Sequence, residues 1–132
     1  MQLLNRAGAG FVALETTLLV HGVPRAEAAP LASRLAEAVC AGGGRPAIVG
    51  VVDGRPIVGL TDEELATLLE AEHVEKVNTA NLGIILHRSQ HGATTVSTTL
   101  ELAARAGIRL MATGGIGGVH RDFGSTLDIS AD

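Results

Sequence analysis

Apolar residues along the 132-residue chain follow two spacings, which alternate from one end of the sequence to the other. Continuous aliphatic and β-branched runs indicate buried strands, whereas apolar residues three or four positions apart indicate one face of a helix. The runs predict strands over 11–20, 47–52, 56–60, 74–77 and 108–113, and the spaced positions predict helices over 25–40, 62–71, 81–88 and 96–106. Strands that alternate with helices are typical of an α/β fold.

One hairpin signal interrupts the alternation. Asp53-Gly54 separates the strands predicted over 47–52 and 56–60, and this dipeptide favours a tight turn between antiparallel strands. The other strands are connected through helices, as parallel neighbours require. We therefore predict a three-layer α/β/α domain with a mixed, mainly parallel sheet.

Signals at the helix starts refine these boundaries. Thr61 and Glu64 have the spacing of a capping box, in which the side chains satisfy free amides at the helix N-terminus. Pro30 favours a firm start near Ala29 for the helix predicted over 25–40. Residues 90–95 are polar and contain glycine, and they are predicted to form a loop.

Composition indicates one domain with an aliphatic core. Hydrophobic residues make up 46% of the chain but aromatic residues only 2%, so Ala, Leu, Val and Ile must form the core. No helix is predicted after the strand over 108–113, which would leave an aliphatic face of the sheet uncovered. We therefore expect residues 1–132 to form a single partial domain, either truncated at its C-terminus or completed by another chain.

Charge and cysteine usage exclude several classes of protein. A formal net charge of −4 without a basic cluster argues against nucleic acid as the partner. The apolar residues 7–20 are interrupted by Glu15 and lack a basic flank, so they predict neither a signal peptide nor a membrane span. The single cysteine, Cys40, is predicted to be a small core residue, and the absence of an internal disulfide favours a cytoplasmic location.

Two loops are candidate anion sites. The first follows the last predicted strand and contains Gly114, Gly115, Gly117 and Gly118, with His120 just beyond. Such a loop can cradle a phosphate through its backbone amides, or it can be a tight turn without a ligand. The second is 91–95, whose amides and hydroxyls could receive an anion at a helix N-terminus or simply cap that helix.

Four ionisable residues are candidates for chemistry. Burial of Glu15 would raise its pKa and leave a neutral acid able to donate a proton, and a salt bridge with an arginine is the alternative. Lys76, the only lysine, could act as a nucleophile or bind a phosphate if buried, or it could be a strand-edge lysine in water. Asp128 and Asp132 suit a hard divalent cation, or they belong to a solvated polar tail.

Together these segments resemble the pseudouridine-5′-phosphate glycosidase family, which includes the indigoidine-synthase-A-like proteins. The matching segments are VALETT (12–17), HGVP (21–24), VEKV (74–77), HGATTV (91–96), ATGGIGGVHR (112–121) and DISAD (128–132). The family cleaves the carbon–carbon glycosidic bond of pseudouridine 5′-phosphate with water and yields uracil and ribose 5-phosphate. The resemblance implies that the ribose opens and that a lysine traps its C1′ as an imine, which divides one difficult step into easier ones.

The resemblance also implies a role for individual residues. Glu15 matches the general acid, Lys76 matches a lysine that binds substrate through its phosphate, and Asp128 matches a ligand of Mn²⁺ or another divalent cation. The other matching positions bind substrate, and they are Thr94, Thr95, Val96, Ser130, Ala131 and Asp132. The imine-forming lysine of the family lies downstream of the DISAD segment, beyond this sequence.

Three hypotheses follow for the chain itself. It can be the N-terminal part of a glycosidase that needs the remaining part for activity. It can be a non-catalytic module that binds a sugar phosphate or nucleotide, or a remnant that associates through an exposed sheet face. The family resemblance further implies a homotrimer, a small-molecule ligand, and neither nucleic acid nor membrane as a partner.

Overall fold

The computed structural model describes residues 1–127 and 129–132, which form a mixed sheet with helices on both faces. The strands are β1 (Leu4–Asn5), β2 (Phe11–Glu15), β3 (Arg45–Val52), β4 (Arg55–Val58), β5 (Glu75–Val77), β6 (Gly92–Thr94) and β7 (Leu110–Ala112). The helices are α1 (Thr17–His21), α2 (Arg25–Ala41), α3 (Asp62–Glu70), α4 (Leu82–His87), α5 (Val96–Arg105) and α6 (Phe123–Thr126). Elements from β2 to β7 alternate largely as predicted, whereas the short β1 and α6 carry no sequence pattern that predicts them.

The sheet is mixed and mainly parallel, as predicted. Its main path runs β1-β4-β3-β2-β7, and β6 and β5 extend it beside β3. The pairs β1–β4, β2–β3, β2–β7 and β5–β6 are parallel, and only β3–β4 and β3–β6 are antiparallel among the described strands. The hairpin between β3 and β4 turns at Asp53 (φ 49°) and Gly54 (φ 70°), the left-handed conformation that a tight hairpin turn requires.

One edge of β3 is shared by two strands that run in opposite directions. From Arg45 to Val49, β3 pairs with β2, which is parallel to it and ends at Glu15. From Gly50 to Val51, the same edge pairs with β6, which is antiparallel to it. The carboxyl ends of β2 and β6 therefore meet head to head beside Val49, and the chain must leave the sheet at this point.

Helices cover the two faces of the sheet, which confirms the three-layer architecture. Because strand residues alternate between faces, Val49 and Val51 join one core with Leu102 of α5 and Ile85 of α4, all of them buried. Ile48, which immediately precedes Val49 on β3, packs on the other face with α1, α2 and α3, whose buried residues are Leu19, Ala32 and Leu65. β7 is an edge strand, and Leu110 on it is 66% exposed, consistent with the expected uncovered aliphatic surface.

Two predicted boundaries near the changeover are wrong for the same reason. The predicted strand 11–20 ends at Glu15, and Thr17–His21 is the helix α1, because β6 occupies the edge of β3 that a longer β2 would need. The predicted loop 90–95 contains β6, since Gly92–Thr94 fills that vacated edge. Gly92 suits this position, because an added Cβ atom would overlap Val77 Cγ2.

Two predictions about α2 are also wrong. The helix begins at Arg25 rather than near Ala29, with Pro24 as its N-cap and Pro30 inside the helix. Pro30 lacks the N–H that would donate to the Ala26 carbonyl in the first turn, so the helix continues without that one hydrogen bond. Cys40 is exposed near the end of the helix rather than buried in the core.

The predicted capping box at the start of α3 is confirmed. The Glu64 backbone N–H donates to Thr61 Oγ1 over 3.2 Å, and the Thr61 N–H donates to Glu64 Oε2 over 2.9 Å. Glu64 also pairs with Arg6 at 2.7 Å, which joins α3 to the segment after β1. Within the described residues, no helix is both long and apolar enough to span a membrane.

Candidate functional site

A cleft of about 190 Å³ opens where β2 and β6 end against each other. After Glu15 the chain turns into α1 on one face of the sheet, and after Thr94 it turns into α5 on the other. This divergence leaves space at the strand ends, where ligands commonly bind in α/β proteins. The cleft is lined by Glu15, Thr17, Lys76, Asn78, Thr95, Val96, Gly115, Gly117, His120, Ile129, Ser130, Ala131 and Asp132.

The floor beneath the cleft is a buried network of threonine hydroxyls. Thr16 Oγ1 and Thr94 Oγ1 both donate to the Val49 carbonyl, over 2.9 and 2.7 Å. The Thr94 N–H donates to Thr16 Oγ1 over 2.8 Å, and Thr99 Oγ1 donates to Thr94 Oγ1 over 2.9 Å. We call Thr16, Val49, Thr94 and Thr99 the strand junction. All four residues are fully buried, so the junction fixes the directions in which the two strand ends leave the sheet.

Glu15 is the carboxyl group at the end of β2, next to Thr16 of the strand junction. Partial burial raises the pKa of Glu15, a hydrogen bond from Thr113 opposes that rise, and the charge of Asp132 adds to it. Thr113 Oγ1 lies 2.5 Å from Glu15 Oε1. Among the described residues no arginine pairs with Glu15, so the salt-bridge alternative is not what the structure shows. Glu15 is placed as a carboxyl group that retains its proton more readily than an exposed glutamate.

Lys76 contributes the positive charge of the cleft. It lies on β5, which pairs only with β6 within the described sheet, and its side chain lines the cleft together with Glu15. Lys76 is exposed, so the hypothesis of a buried nucleophilic lysine is wrong and the strand-edge position is observed. The Asn81 side-chain amide donates to the Lys76 carbonyl over 2.9 Å and holds this part of β5 against the start of α4.

Asp132 closes the cleft against the N-terminus of α5. Its Oδ1 accepts the Ser97 N–H over 3.3 Å, and its Oδ2 accepts the Gly117 N–H over 3.2 Å. Burial alone would raise the pKa of Asp132, but hydrogen bonds from Ser130, Gly117, Ser97 and Thr95 outweigh that effect and lower it. The anion at the start of α5 is thus a carboxylate of the chain itself, bound to a helix N-terminus as the dipole favours.

The chain returns to the cleft through a short antiparallel contact. Val119 and Ile129 form an isolated bridge, and the Ser130 N–H donates to the Gly118 carbonyl over 2.9 Å. The Asp132 N–H donates to Ser130 Oγ over 3.2 Å. These contacts hold residues 129–132 beside the glycine loop, which explains why segments far apart in sequence line one cavity.

The cleft contains most of the residues predicted to form the site. Glu15, Lys76, Thr95, Val96, Gly115, Gly117, His120, Ser130, Ala131 and Asp132 line it. Thr94 does not, because its hydroxyl belongs to the buried junction. Gly114 instead lines an adjacent apolar cavity of about 200 Å³ with Leu14 and Leu35. Gly118 is not among the lining residues, but its carbonyl accepts the N–H of Ser130, which is.

The predicted metal ligand Asp128 lies outside the described residues. Within residues 1–127 and 129–132, no group of three or more His, Cys, Asp or Glu side chains could hold a metal ion. Asp132, the predicted neighbour of Asp128 in that site, already accepts two backbone N–H groups. The described residues therefore do not build a divalent-cation site by themselves.

Sequence patterns missed several members of the site. Thr17 lines the cleft and donates to the Ala93 carbonyl over 3.1 Å, but it was predicted within a strand. Asn78 follows β5 and Ile129 lies between two candidate residues, and neither has a signal of its own. Thr113 could have been noticed, because a hydroxyl residue at the end of a strand and the start of a glycine loop is well placed for hydrogen bonding.

Comparison with known proteins finds relatives that match nearly the whole of this chain. The chain is 45% identical over 127 residues to a pseudouridine-5′-phosphate glycosidase of Nocardioides sp., covering 96% of this chain and 41% of that protein. It is 50% identical over 126 residues to the enzyme of that name from Methylobacterium nodulans, covering 96% of this chain and 37% of that protein.

Two solved structures share the fold. An indigoidine synthase A-like protein from Thermotoga maritima superposes with a TM-score of 0.81 and 37% identity, covering 97% of this chain and 43% of that one. The prealnumycin C-glycosynthase AlnA, solved with ribulose 5-phosphate, superposes with a TM-score of 0.77 and 38% identity, covering 93% of this chain and 39% of that one.

The family model of indigoidine synthase A-like proteins matches residues 2–132. The chain belongs to this family, as its sequence motifs predict. It spans about two fifths of the length of the relatives that it matches.

Proposed function

We propose that this chain binds pseudouridine 5′-phosphate in the cleft and contributes the general acid of a pseudouridine-5′-phosphate glycosidase. The observation that carries the proposal is the placement of Glu15, whose pKa is raised, in one cleft with the exposed cation Lys76. A carboxyl group that holds its proton can protonate a sugar oxygen, and a lysine ammonium can bind a phosphate. The similarity to glycosidases of that name supports the substrate.

In this proposal each end of the substrate has its own residues. Lys76 binds the phosphate, because it is the basic side chain that lines the cleft apart from His120. Glu15 donates the proton that opens the ribose ring, and Ser130 and Asp132 bind the sugar. Thr94 acts indirectly, since the buried junction holds Glu15 and Thr95 in place.

The overall reaction consumes one water and yields uracil, whose carbon gains a hydrogen, and ribose 5-phosphate. The resemblance assigns the imine to a lysine in the remaining part of the family domain. Lys76 is the only lysine in these 132 residues, and its proposed role is phosphate binding. Catalysis therefore requires the rest of the domain, whereas binding of the sugar phosphate can be tested on this chain.

Binding is tested by calorimetry with ribose 5-phosphate and with ribose. We expect Lys76→Met to weaken binding of ribose 5-phosphate at least tenfold and to leave any binding of ribose unchanged, because the lost charge contacts only the phosphate. Arg88→Met is the matched control, since Arg88 is exposed and lies outside the cleft lining. Equal affinities of the Lys76 and Arg88 variants for ribose 5-phosphate would contradict the role of Lys76.

Catalysis is tested by adding the C-terminal part of the Nocardioides relative, beyond the region matched here, and measuring uracil release from pseudouridine 5′-phosphate. We expect activity from the pair, and its loss with Glu15→Gln, which removes the proton donor at nearly constant volume. A folded complex that binds ribose 5-phosphate but releases no uracil would favour a second function, sugar-phosphate binding without catalysis.

The divalent cation is a separate proposal that depends on Asp128. When bound, Mn²⁺ or a similar ion would supply a positive charge near the substrate. Added Mn²⁺ should selectively broaden the NMR signals of residues 127–130, and Asp128→Asn should abolish that effect. Weak broadening spread over the whole surface would contradict a specific site. The homotrimer remains a prediction that sedimentation of the chain, alone and with the complementing part, can test.

A further inference from the structure

Two acceptor oxygens lie within hydrogen-bond distance of the Thr113 hydroxyl, which has a single proton. Thr113 Oγ1 lies 2.5 Å from Glu15 Oε1 and 3.0 Å from the Gly115 carbonyl oxygen, and it accepts the Gly115 N–H over 3.3 Å. A threonine hydroxyl carries one proton and can donate only one hydrogen bond at a time. The Glu15 carboxylate and the Gly115 carbonyl therefore compete for the same donor.

The protonation state of Glu15 decides this competition. When Glu15 is ionised, both of its oxygens are acceptors, and the Thr113 hydroxyl must donate to the carboxylate. When Glu15 is protonated, its own O–H can donate to Thr113 Oγ1, and the threonine proton is free to bond the Gly115 carbonyl. The second arrangement is a continuous chain of hydrogen bonds from the acid to the glycine loop.

The sheet fixes one end of this chain and leaves the other end adaptable. Leu14 pairs with Ala112 in the parallel β2–β7 ladder, so Glu15 and Thr113 leave adjacent strands side by side. Gly114 and Gly115 have no neighbouring atoms within 4 Å of the position of an added Cβ. A change in the Thr113 hydrogen bond can therefore move the loop without disturbing the core.

We infer that Thr113 is a positioning residue that directs its single hydroxyl proton to Glu15 or to the Gly115 carbonyl, and so links the state of the acid to the conformation of the glycine loop. The inference rests on the proposed role of Glu15 as the acid. It gives the loop a function beyond lining the cleft, because the loop tightens when the acid is loaded with a proton and relaxes once the proton has been donated.

Other charged groups also face Glu15. Asp132 and His120 border the same cleft, Lys76 faces it from β5, and His21 at the end of α1 lines an adjoining opening with Glu15 and Lys76. Of these groups, Asp132 raises the pKa of Glu15 through its charge. All of them are unchanged by substitution of Thr113, so a comparison of Thr113 variants isolates the hydrogen bond.

The test is an NMR titration of the 132-residue chain that follows the Glu15 side-chain carboxyl carbon and the Gly115 amide. We expect both signals to change with one midpoint in the unmodified chain. In Thr113→Val, Glu15 loses a hydrogen bond that favours its ionised form, so its midpoint should move to higher pH while the Gly115 change disappears. Thr113→Ser keeps the hydroxyl and should restore both.

Thr17→Val is the matched control, because Thr17 lines the same cleft but donates to the Ala93 carbonyl. It should leave the coupled midpoint in place. Separate midpoints for Glu15 and Gly115 in the unmodified chain would overturn the inference even if the Val variant failed to fold. The titration needs no substrate, so loss of sugar-phosphate binding or catalysis would count against the proposed function and not against this coupling.

Discussion

The strand junction and the C-terminal segment face the same cleft, yet they are held in opposite ways. In the junction, Thr16, Thr94 and Thr99 are fully buried and their hydroxyls donate within the network or to Val49. The C-terminal segment, 113–132 without residue 128, is largely exposed, and Ile116 in it is 70% exposed. It is attached mainly through hydrogen bonds of exposed residues.

The difference separates positioning from adaptation. A buried network in which every donor has an acceptor is costly to rearrange, so the junction holds the backbone of Glu15 and Thr95 in one arrangement. An exposed segment with few apolar contacts opens at low free energy. The cleft therefore has two kinds of wall. The sheet carries Glu15 and Lys76 and forms the rigid wall, whereas the exposed segment carries the glycine loop and Asp132 and forms the adaptable wall.

Substitution of Gly92 should distinguish the two regions most strongly. Its added Cβ would overlap Val77 Cγ2, in a buried part of the sheet. We expect Gly92→Ala to lower the free energy of unfolding by about 3 kcal/mol, the upper range for overpacking in a core. Urea denaturation measures it.

Gly115→Ala is the control for Gly92→Ala in the exposed segment. No atom lies within 4 Å of the Cβ that the substitution adds to Gly115, and the φ angle of Gly115 is not positive. The free energy of unfolding should change by less than about 0.5 kcal/mol, as for most surface substitutions. Similar losses for the two variants would contradict the contrast between the regions.

Removal of a junction hydroxyl should have the next largest effect. Thr94→Val keeps the shape but removes the donor to Val49 and the acceptor for Thr99, so we expect a loss of about 2 kcal/mol. Thr98→Val is the matched control. Thr98 is equally buried, but its hydroxyl has no hydrogen-bond partner among the described residues.

Thr98→Val should therefore be neutral or stabilising by up to about 1 kcal/mol, because it removes an unsatisfied buried polar group. Thermal unfolding of the two valine variants, side by side, gives the comparison. If Thr94→Val were as stable as Thr98→Val, the hydrogen bonds of the junction would not contribute to its rigidity.

Loss of the Asp132 charge should have a smaller effect. Asp132→Asn weakens the contact with the N-terminus of α5, and we expect a loss of roughly 0.5 kcal/mol at neutral pH. The pKa of Asp132 is lowered by folding, so its contribution is present above the unfolded pKa near 3.8 and is lost as the pH falls through the folded value.

Asp122→Asn is the control for that charge, because Asp122 makes no side-chain hydrogen bond to cap α6. Denaturation of both variants at neutral and acidic pH gives the measurement. A stability difference between Asp132→Asn and the unmodified chain that stayed constant with pH would show that the carboxylate does not act through its charge.

The smallest effect is expected from Glu15→Gln and should depend on pH. Folding raises the pKa of Glu15 above its ordinary value of 4.5, so the folded state binds more protons than the unfolded state in that range. The stability from this group is complete below pH 4.5 and is lost as the pH rises through the folded pKa. The Glu15→Gln variant should not lose stability in this way, because its side-chain amide does not titrate.

Equilibrium unfolding of the glutamine variant and the unmodified chain between pH 4 and 8 provides the check. The stability of the variant relative to the unmodified chain should increase across this range. A relative stability that decreased would mean that folding lowers the pKa of Glu15, and the carboxyl group would then be poorly suited to donate a proton.

The sequence by itself determined the features that depend on neighbours along the chain. The hairpin at Asp53-Gly54 requires left-handed backbone angles that this dipeptide tolerates, and the capping box joins Thr61 to Glu64 three positions away. The motifs around Glu15, Lys76 and the glycine loop likewise identified the family and most residues of the cleft.

Only the tertiary structure decided what happens where β2 and β6 meet. Residues 17–20 have the composition of a strand, yet they belong to helix α1. Residues 90–95 have the composition of a loop, yet they contain strand β6. One edge of β3 accommodates β2 only as far as Val49, and β6 takes the remainder. This sharing of the β3 edge buries Thr94, whereas the contact between Thr113 and Glu15 follows from the pairing of β2 with β7. The hydrogen bond between Thr94 and Thr16 joins positions that are 78 residues apart, and the one between Thr113 and Glu15 joins positions that are 98 residues apart. Over such separations no local pattern in the sequence specifies a partner.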